Sequence, residues 1–372
     1  MEFGLFCGGY VPKSMKENDP DAEHSRLMSE VDVAVVADQN NWKYWWTTEH
    51  HFLDEYSHIS CNEVMLAYVA ARTERIHLGS GIFNITPPVN HPVRTAERVA
   101  MLDHLTQGRF EFGTGRGSST TEQRGFGIND PDLTKEMYDE VIGEFKHMWA
   151  SENYSFDGKF WSMPERNVLP KPWLKPHPPM WVAAGNPGTF EKAARMGMGV
   201  LCFTASKPSD LEPLIEIYKN NIDKAEPVGE YVNNTVAVVS QFMCLEDREE
   251  AMGWLTNSGT GYQNSLLFRY LDSFPRPKGV PAWPTVLPEP TRDQMEQRVA
   301  AGMSAVGTPD ECIEAMKTYE NIGADVVLMG PSTSTWPKDI VEKSVKLFGQ
   351  EVIPYFDKDP EKTRTARFRA DA

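Results

Sequence analysis

The chain has 372 residues, of which 40% are hydrophobic and 24% charged, and this composition is typical of a folded globular protein. It carries 53 acidic and 37 basic residues, so its formal charge is −16, which argues against nucleic acid and anionic membranes as partners. The first residues lack the features of a signal peptide, and no apolar run approaches the roughly 18 to 20 residues that span a bilayer. We therefore expect a cytoplasmic protein.

The cysteines and histidines show no metal-binding pattern. Five cysteines are scattered along the chain, their number is odd, and no two of them form a C-x-x-C pair. This spacing argues against both a disulfide framework and a structural zinc site. An H-E-x-x-H spacing is also absent, so the sequence predicts no metal centre.

Short apolar runs alternate with longer segments of helical periodicity. In chain order the predicted strands are Glu2–Cys7, Tyr44–Thr48, Ile76–Phe83, Arg109–Thr114, Met180–Ala184, Val200–Phe203, Thr235–Cys244 and Ala324–Met329. The helices predicted to follow them are Glu23–Ala37, Asn62–Arg72, Val93–Leu105, Lys135–Trp149, Thr189–Met196, Leu211–Lys224, Glu249–Phe268 and Lys338–Phe348. Eight such units predict an α/β fold, a (β/α)8 TIM barrel, in one domain over residues 1–372. A Rossmann sheet is disfavoured because no G-x-G-x-x-G turn follows the first strand.

Two insertions and a terminal segment interrupt this alternation. Residues 151–178, after the fourth strand, are predicted to form a small hairpin and an extended arm. Residues 271–300, in the region after the seventh strand, are rich in proline and are expected to be either a functional lid or disordered, with a lid favoured. The charged residues 357–372 are predicted to be a tail or an arm.

The predicted helix Asn62–Arg72 has eight successive apolar residues, from Val64 to Ala71. A helix without a polar face is normally buried. We expect it to pack against a second subunit and hence predict a homodimer. The alternative is that a neighbouring insertion of the same chain covers it.

Polar and glycine-rich residues follow four successive predicted strands. They are Glu49-His50-His51, Gly79-Ser80-Gly81, Gly113-Thr114-Gly115-Arg116-Gly117 and Gly185-Asn186-Pro187-Gly188-Thr189. In a barrel of this type catalytic groups lie at the carboxyl ends of the strands. Neighbouring side chains of an extended chain point in opposite directions, so at most one of the two histidines should face the barrel mouth.

Two of these turns have the properties of an anion site. Arg116 lies between two glycines, which allow close approach, and its guanidinium matches phosphate oxygens. The turn Gly185–Thr189 opens a helix, whose free N–H groups and dipole attract negative charge. The fourth and fifth strands are neighbours in a barrel, so both turns are predicted to bind one phosphate.

Four motifs in this order carry a resemblance to a known family. They are Trp46-Thr47-Thr48-Glu49-His50-His51-Phe52, His91-Pro92-Val93-Arg94, the run Leu102–Phe110, and Gly113–Gly117. With them the chain resembles the bacterial luciferase-like, flavin-dependent monooxygenases. The match extends from Phe3 to about Phe203 and resumes from Val306 to Gly330.

The resemblance implies a two-component monooxygenase. Reduced FMN (FMNH2) would be a diffusible cosubstrate supplied by a separate flavin reductase, and it would react with O2 through a C4a-peroxyflavin to oxygenate a small organic substrate. His50 matches the catalytic histidine of the family, and Arg116 matches its phosphate-binding arginine. The further cofactor-binding residues implied are Ser80, Gly81, Gly185, Asn186, Gly188 and Thr189. The family often carries a cis non-proline peptide where Ser80-Gly81-Ile82 aligns.

The sequence also departs from luciferase itself. Gly185 replaces a glutamate of the phosphate turn, Gly115 replaces a reactive cysteine, and Ile82–Asn90 is longer than the corresponding loop. These departures argue against light emission and against an aldehyde substrate. Hydroxylation, Baeyer–Villiger insertion and sulfur oxidation all stay open.

Three other functions compete with this interpretation. A deazaflavin-dependent oxidoreductase on the same barrel would transfer a hydride and need no oxygen. A non-catalytic relative would only bind flavin, but His50 and Arg116 argue against it. A sugar-phosphate isomerase or lyase would place its anion site after strands seven and eight, where the sequence shows no such site.

Overall fold

The structure, a computed structural model, describes residues 1–117, 119–202, 207–256, 290–330, 335–359 and 361–372. Its strands are β1 Glu2–Cys7, β2 Tyr44–Thr47, β3 His77–Ser80, β4 Phe83–Asn84, β5 Phe110–Gly115, β6 Tyr154–Asp157, β7 Ser162–Arg166, β8 Met180–Ala184, β9 Gly199–Cys202, β10 Val236–Cys244, β11 Ser304–Gly307 and β12 Val326–Gly330. Its α-helices are α1 Lys13–Asn18, α2 Ala22–Asp38, α3 Asn62–Ala70, α4 Pro92–Leu105, α5 Thr120–Gly125, α6 Leu133–Ile142, α7 Glu144–Ala150, α8 Pro187–Arg195, α9 Glu212–Lys219, α10 Arg248–Thr256, α11 Arg292–Ala300, α12 Pro309–Asn321, α13 Lys338–Leu347, α14 Ile353–Phe356 and α15 Arg364–Ala370.

Eight parallel strands close into a barrel. Their order is β1-β2-β3-β5-β8-β9-β10-β12, and β12 pairs with β1 to complete the ring. The predicted (β/α)8 TIM barrel is confirmed, and its eight predicted strands are the eight strands of the ring. Because all eight run in one direction, their carboxyl ends meet at one mouth of the barrel.

Bulky side chains fill the barrel axis below that mouth. Trp46 and Trp181 meet edge to face inside the ring, with centroids 5.3 Å apart. Gly79 makes room for this packing, because a Cβ atom there would lie 2.3 Å from the Trp46 ring. Gly113 likewise allows close approach of two strands, since its Cβ would lie 1.9 Å from the carbonyl oxygen of Ser80. The barrel is therefore a packed core and not a pore.

Four segments differ from the sequence predictions, confirm them or add to them. The single helix predicted over Lys135–Trp149 is wrong: α6 ends before Gly143 and α7 begins after it. The unit β11–α12 was not predicted, and β11 pairs with the carboxyl-terminal half of the long strand β10. The hairpin predicted within residues 151–178 is confirmed as the antiparallel pair β6–β7. Of the predicted lid, residues 271–289 lie outside the described residues, and Arg292–Ala300 is helix α11.

The terminal segment is an arm that packs across the amino-terminal end of the barrel. The main-chain N–H of Arg364 donates to Glu2 of β1 at 3.0 Å, and the Thr365 hydroxyl donates to Glu111 of β5. Arg369 forms a buried ion pair with Asp103, with both nitrogen–oxygen distances 2.9 Å. The described residues of this arm thus form a cap on the amino-terminal end of the barrel. The mouth that carries the predicted site is at the other end.

Helix α3 keeps part of its apolar surface exposed. Val64 and Tyr68 expose 65% and 45% of their surface, and Met101 and Leu105 of the neighbouring α4 expose 48% and 51%. No described residue of the chain covers these side chains. Among the described helices, none is long and apolar enough to cross a membrane.

Candidate active site

A cleft of about 670 Å³ opens at the carboxyl ends of the barrel strands. It is the place where nearly all of the residues proposed from the sequence come together. Those that line it are His50, Gly81, Arg116, Gly185, Asn186, Gly188 and Thr189. In the described part of the chain, no three histidine, cysteine or acidic side chains form a group that could hold a metal ion.

Ser80 is the one proposed cofactor-binding residue that does not line the cleft. Its side chain is fully buried, and its hydroxyl donates to the carbonyl oxygen of Gly113 and accepts from the N–H of Gly113, both at 2.9 Å. This side chain therefore joins β3 to β5. The peptide that follows it, Gly81–Ile82, is cis, and both of its residues line the cleft.

Both histidines of the Glu49-His50-His51 run line the cleft. The expectation that only one of them faces the mouth is wrong. Strand β2 ends at Thr47, so the alternation of an extended strand does not continue to residues 50 and 51.

Each histidine is paired with a different carboxylate. His50 Nδ1 lies 3.0 Å from Glu122 Oε1, and the main-chain N–H of His51 donates to the same oxygen at 3.0 Å. His51 Nε2 lies 3.2 Å from Glu49 Oε1. Sequence reasoning missed Glu122, which lies 72 residues from His50 on the short helix α5. Its only signal in the sequence is its position shortly after the glycine-rich turn of β5.

Glu49 connects the end of β2 to the loop that follows β3. Its Oε1 accepts from the Asn90 amide at 2.8 Å, and its Oε2 accepts from the main-chain N–H of Asn84 at 3.4 Å. Burial raises the pKa of Glu49, while the hydrogen bond from His51 opposes that shift. The carboxyl group holds one wall of the cleft in place.

One end of the cleft is cationic. The Arg116 guanidinium donates to the Thr134 hydroxyl at 2.8 Å, and burial lowers its pKa, against the charges of Asp132 and Asp139. Two lysines that sequence reasoning missed, Lys135 and Lys192, also line the cleft. Lys192 forms an ion pair with Asp139.

The turn before α8 is held by a reciprocal cap. Asn186 Oδ1 accepts from the N–H of Thr189 at 3.1 Å, and the Thr189 hydroxyl accepts from the N–H of Asn186 at 3.2 Å. Pro187, at the first position of the helix, has no N–H to satisfy. The turn therefore presents a fixed helix amino terminus, where the dipole favours an anion.

The floor of the cleft is apolar. It is formed by Phe6, Leu201, Val239 and Leu328, from four different barrel strands, and by Ile82. These side chains belong to the same apolar cluster as Trp46 and Trp181 of the barrel axis. The pair His50–Glu122, a cationic end and an apolar floor thus line one cavity.

Comparison with known proteins agrees with this geometry. The family model described as "Luciferase-like monooxygenase" matches residues 1–326. Limonene 1,2-monooxygenase of Rhodococcus erythropolis is 25% identical over 364 residues, covering 96% of this chain and 87% of that protein. The oxygenase component of the flavin-dependent trigonelline monooxygenase of Acinetobacter baylyi is 31% identical over 172 residues, covering 46% of each chain.

Solved structures share the same fold. A monooxygenase of Streptomyces bottropensis superposes with a TM-score of 0.79 at 23% identity, covering 96% of this chain and 100% of its own. The oxygenating constituent of 3,6-diketocamphane monooxygenase from Pseudomonas putida, in complex with FMN, gives 0.77 at 18% identity, with 95% and 98% covered. An F420-dependent secondary alcohol dehydrogenase gives 0.69 at 16% identity, with 96% and 99% covered.

The family model spans most of the chain, and the motifs around His50 and Arg116 meet in one cleft of the barrel. Relatives named as monooxygenases match the chain over nearly its whole length. The chain belongs to the luciferase-like monooxygenase family.

Proposed function

We propose that this protein is the oxygenase component of a two-component monooxygenase that uses reduced FMN and O2 to oxygenate a small, uncharged, apolar substrate. The observation that carries the proposal is the cleft itself, which is lined by His50, by a cationic end and by an apolar floor. Relatives described as an oxygenase component and as an oxygenating constituent support a separate flavin reductase as partner.

The residues present fit FMN, which combines a dianionic phosphate with a flat, largely apolar ring system. Arg116 and the helix terminus at Gly185–Thr189 would hold the phosphate, and Lys192 and Lys135 would add positive charge beside it. Gly81 and the apolar floor would accommodate the ring system. The bound reduced flavin supplies the electrons that activate oxygen.

The chain's own residues then control protons and water. The imidazole of His50 lines the cleft, where it can take up or release a proton at a bound group. The apolar floor excludes water from the reacting groups. Among the described residues lining the cleft, no cation lies on the floor, so a substrate carboxylate would be buried there without a partner.

The runner-up function is a deazaflavin-dependent oxidoreductase. The similarity to an F420-dependent dehydrogenase keeps this alternative open, because the two cofactors are used on the same barrel. The cationic end favours FMN, since the Arg116 guanidinium and the helix amino terminus at Gly185–Thr189 together suit a dianionic phosphate monoester.

The first experiment tests the cofactor. Purified protein is titrated anaerobically with reduced FMN, reduced riboflavin and a reduced deazaflavin, for wild type and for Arg116→Ala. We expect FMN to bind most tightly and Arg116→Ala to weaken FMN binding by about tenfold or more, as the loss of a charged hydrogen bond predicts. Riboflavin, which lacks the phosphate, should bind both proteins equally.

The matched control is Arg94→Ala, whose side chain is 65% exposed on α4 and does not line the cleft. An FMN dissociation constant that is the same in Arg116→Ala and wild type would refute the phosphate assignment. Tight binding of the deazaflavin alone would favour the runner-up function. Oxygen consumption with a panel of ketones, terpenes and thioethers then identifies the reaction, and only coupled product counts.

A further inference from the structure

We propose that Glu122 is a positioning residue that fixes His50 in one tautomer, with hydrogen on Nδ1 and the Nε2 lone pair available to the cleft. The role of this tautomer in turnover rests on the proposed function. The tautomer itself is a property of the protein alone and is tested separately.

The inference starts from a shared acceptor. Glu122 Oε1 accepts the main-chain N–H of His51 at 3.0 Å and lies 3.0 Å from Nδ1 of His50. An ionised carboxylate has no hydrogen to donate, so the contact with His50 requires a proton on Nδ1. A neutral imidazole carries one ring proton, and Nε2 is therefore the unprotonated nitrogen.

The carboxylate is held firmly enough to impose this choice. Only 7% of the Glu122 side chain is exposed, and its own N–H is capped by the Ser119 hydroxyl at 3.4 Å at the start of α5. The His50 ring is also oriented by an edge-to-face contact with Tyr56, with centroids 4.8 Å apart. A 180° flip of the imidazole would place a ring carbon where Nδ1 lies and would lose the contact with Glu122.

His51 contacts its carboxylate through Nε2, whereas His50 does so through Nδ1. Nε2 of His51 lies 3.2 Å from Glu49, whereas among the described residues Nε2 of His50 has no hydrogen-bond partner. His50 is thus the member of the pair whose Nε2 remains available at the cleft wall. It can accept a proton from a group bound in the cleft, and the imidazolium that results is stabilised by the Glu122 carboxylate.

The test reads the tautomer directly by NMR. Protein labelled with 15N-histidine, without flavin, is examined in long-range 1H–15N spectra at slightly alkaline pH, and the His50 signals are assigned from their loss in His50→Asn. We expect a protonated Nδ1 and an unprotonated Nε2 in wild type. In Glu122→Gln, whose amide can either accept or donate, we expect a mixture of tautomers. A wild-type His50 protonated at Nε2, or an unchanged Glu122→Gln spectrum, would overturn the proposal.

The control is Glu49→Gln, which makes the same change of charge beside the other histidine and should leave the His50 tautomer unchanged. If Glu49→Gln scrambles the His50 signals as Glu122→Gln does, the specific role of Glu122 is refuted. Glu122→Leu, which removes every hydrogen bond to His50, gives a second reading if the glutamine variant folds poorly.

Turnover links the tautomer to function. We expect Glu122→Gln to lower coupled turnover by at least about tenfold while the FMN dissociation constant stays within about twofold. Adding Glu122→Gln to His50→Ala should cost little more, because the two residues act as a unit. Loss of turnover with an unchanged tautomer would refute the positioning role. If wild type oxygenates no substrate, the proposed function fails while the tautomer assignment stands on its spectrum.

Discussion

His177 is a buried histidine far from the cleft whose hydrogen bonds define its state. Its Nδ1 donates to the carbonyl oxygen of Pro178 at 2.8 Å, and its Nε2 accepts the N–H of Glu230 at 2.8 Å. The ring is stacked between Trp149 and Tyr231. Only the neutral ring satisfies both contacts, and burial lowers the pKa of His177 from 6.5 to about 4.

This residue should make stability depend on pH in a defined direction. Because the folded pKa is lower than the unfolded one, the unfolded state binds more protons below pH 6.5, and the free energy of unfolding falls as pH decreases from 6.5 towards 4. We expect His177 to account for a loss of about 2 kcal/mol between pH 8 and pH 5. Chemical unfolding of wild type and His177→Gln at both pH values measures it. An equal loss in the two proteins would contradict the assignment.

The site residues that the sequence identified are those of local motifs. His50 and Arg116 lie in short runs that follow predicted strands, and the turn Gly185–Thr189 opens a predicted helix, so neighbours in sequence are enough to find them. Glu122 and Lys192 could not be found in this way. Each reaches the cleft through tertiary packing, and a lone glutamate or lysine on a helix is normally a solvated side chain.

At the scale of elements, a buried ion pair is one of the contacts that hold helix α15 to the barrel. Arg369 and Asp103 expose 5% and 0% of their side chains, and Asp103 also accepts the N–H of Leu174 at 3.0 Å. Arg369→Leu would leave this carboxylate buried without its cation, so we expect the free energy of unfolding to fall by roughly 3 kcal/mol or more. Denaturant unfolding monitored by circular dichroism measures the change.

The same helix provides a matched control. Arg367 pairs with Asp359 on the surface, where both side chains are about half exposed, and such pairs contribute little. Arg367→Leu should therefore change stability by less than about 0.5 kcal/mol. Equal effects of the two substitutions would show that burial of the Arg369 pair is not what holds the arm.

Most barrel elements were predictable because their patterns are local. β1 and β8 were predicted with their observed bounds, since a run of apolar residues bounded by turn residues is typical of a buried parallel strand. The break at Gly143 was missed because helical periodicity continues on both sides of it. The strand β11 was missed because it forms only against the extra length of β10, a partner about 60 residues earlier in the chain.

At the scale of the whole molecule, the apolar surface of α3 and α4 predicts a homodimer. The two helices are neighbours joined by an ion pair between Arg98 and Glu63 at 2.9 Å, and each presents two exposed apolar side chains one turn apart. Exposed apolar surface of this kind marks interaction sites. The arm caps the amino-terminal end of the barrel, and the cleft opens at the carboxyl-terminal mouth. A dimer formed through α3 and α4 would therefore obstruct neither the arm nor the cleft.

Two charges placed on this face should dissociate the dimer. In Val64→Glu/Tyr68→Glu, association would bury two carboxylates without partners, at a cost of several kcal/mol. We expect wild type to sediment with the mass of two chains and the double variant with the mass of one, its circular dichroism unchanged. Tyr355→Glu, at an exposed aromatic residue on α14, should remain dimeric. A monomeric wild type, or dissociation by Tyr355→Glu alone, would contradict an interface on α3 and α4.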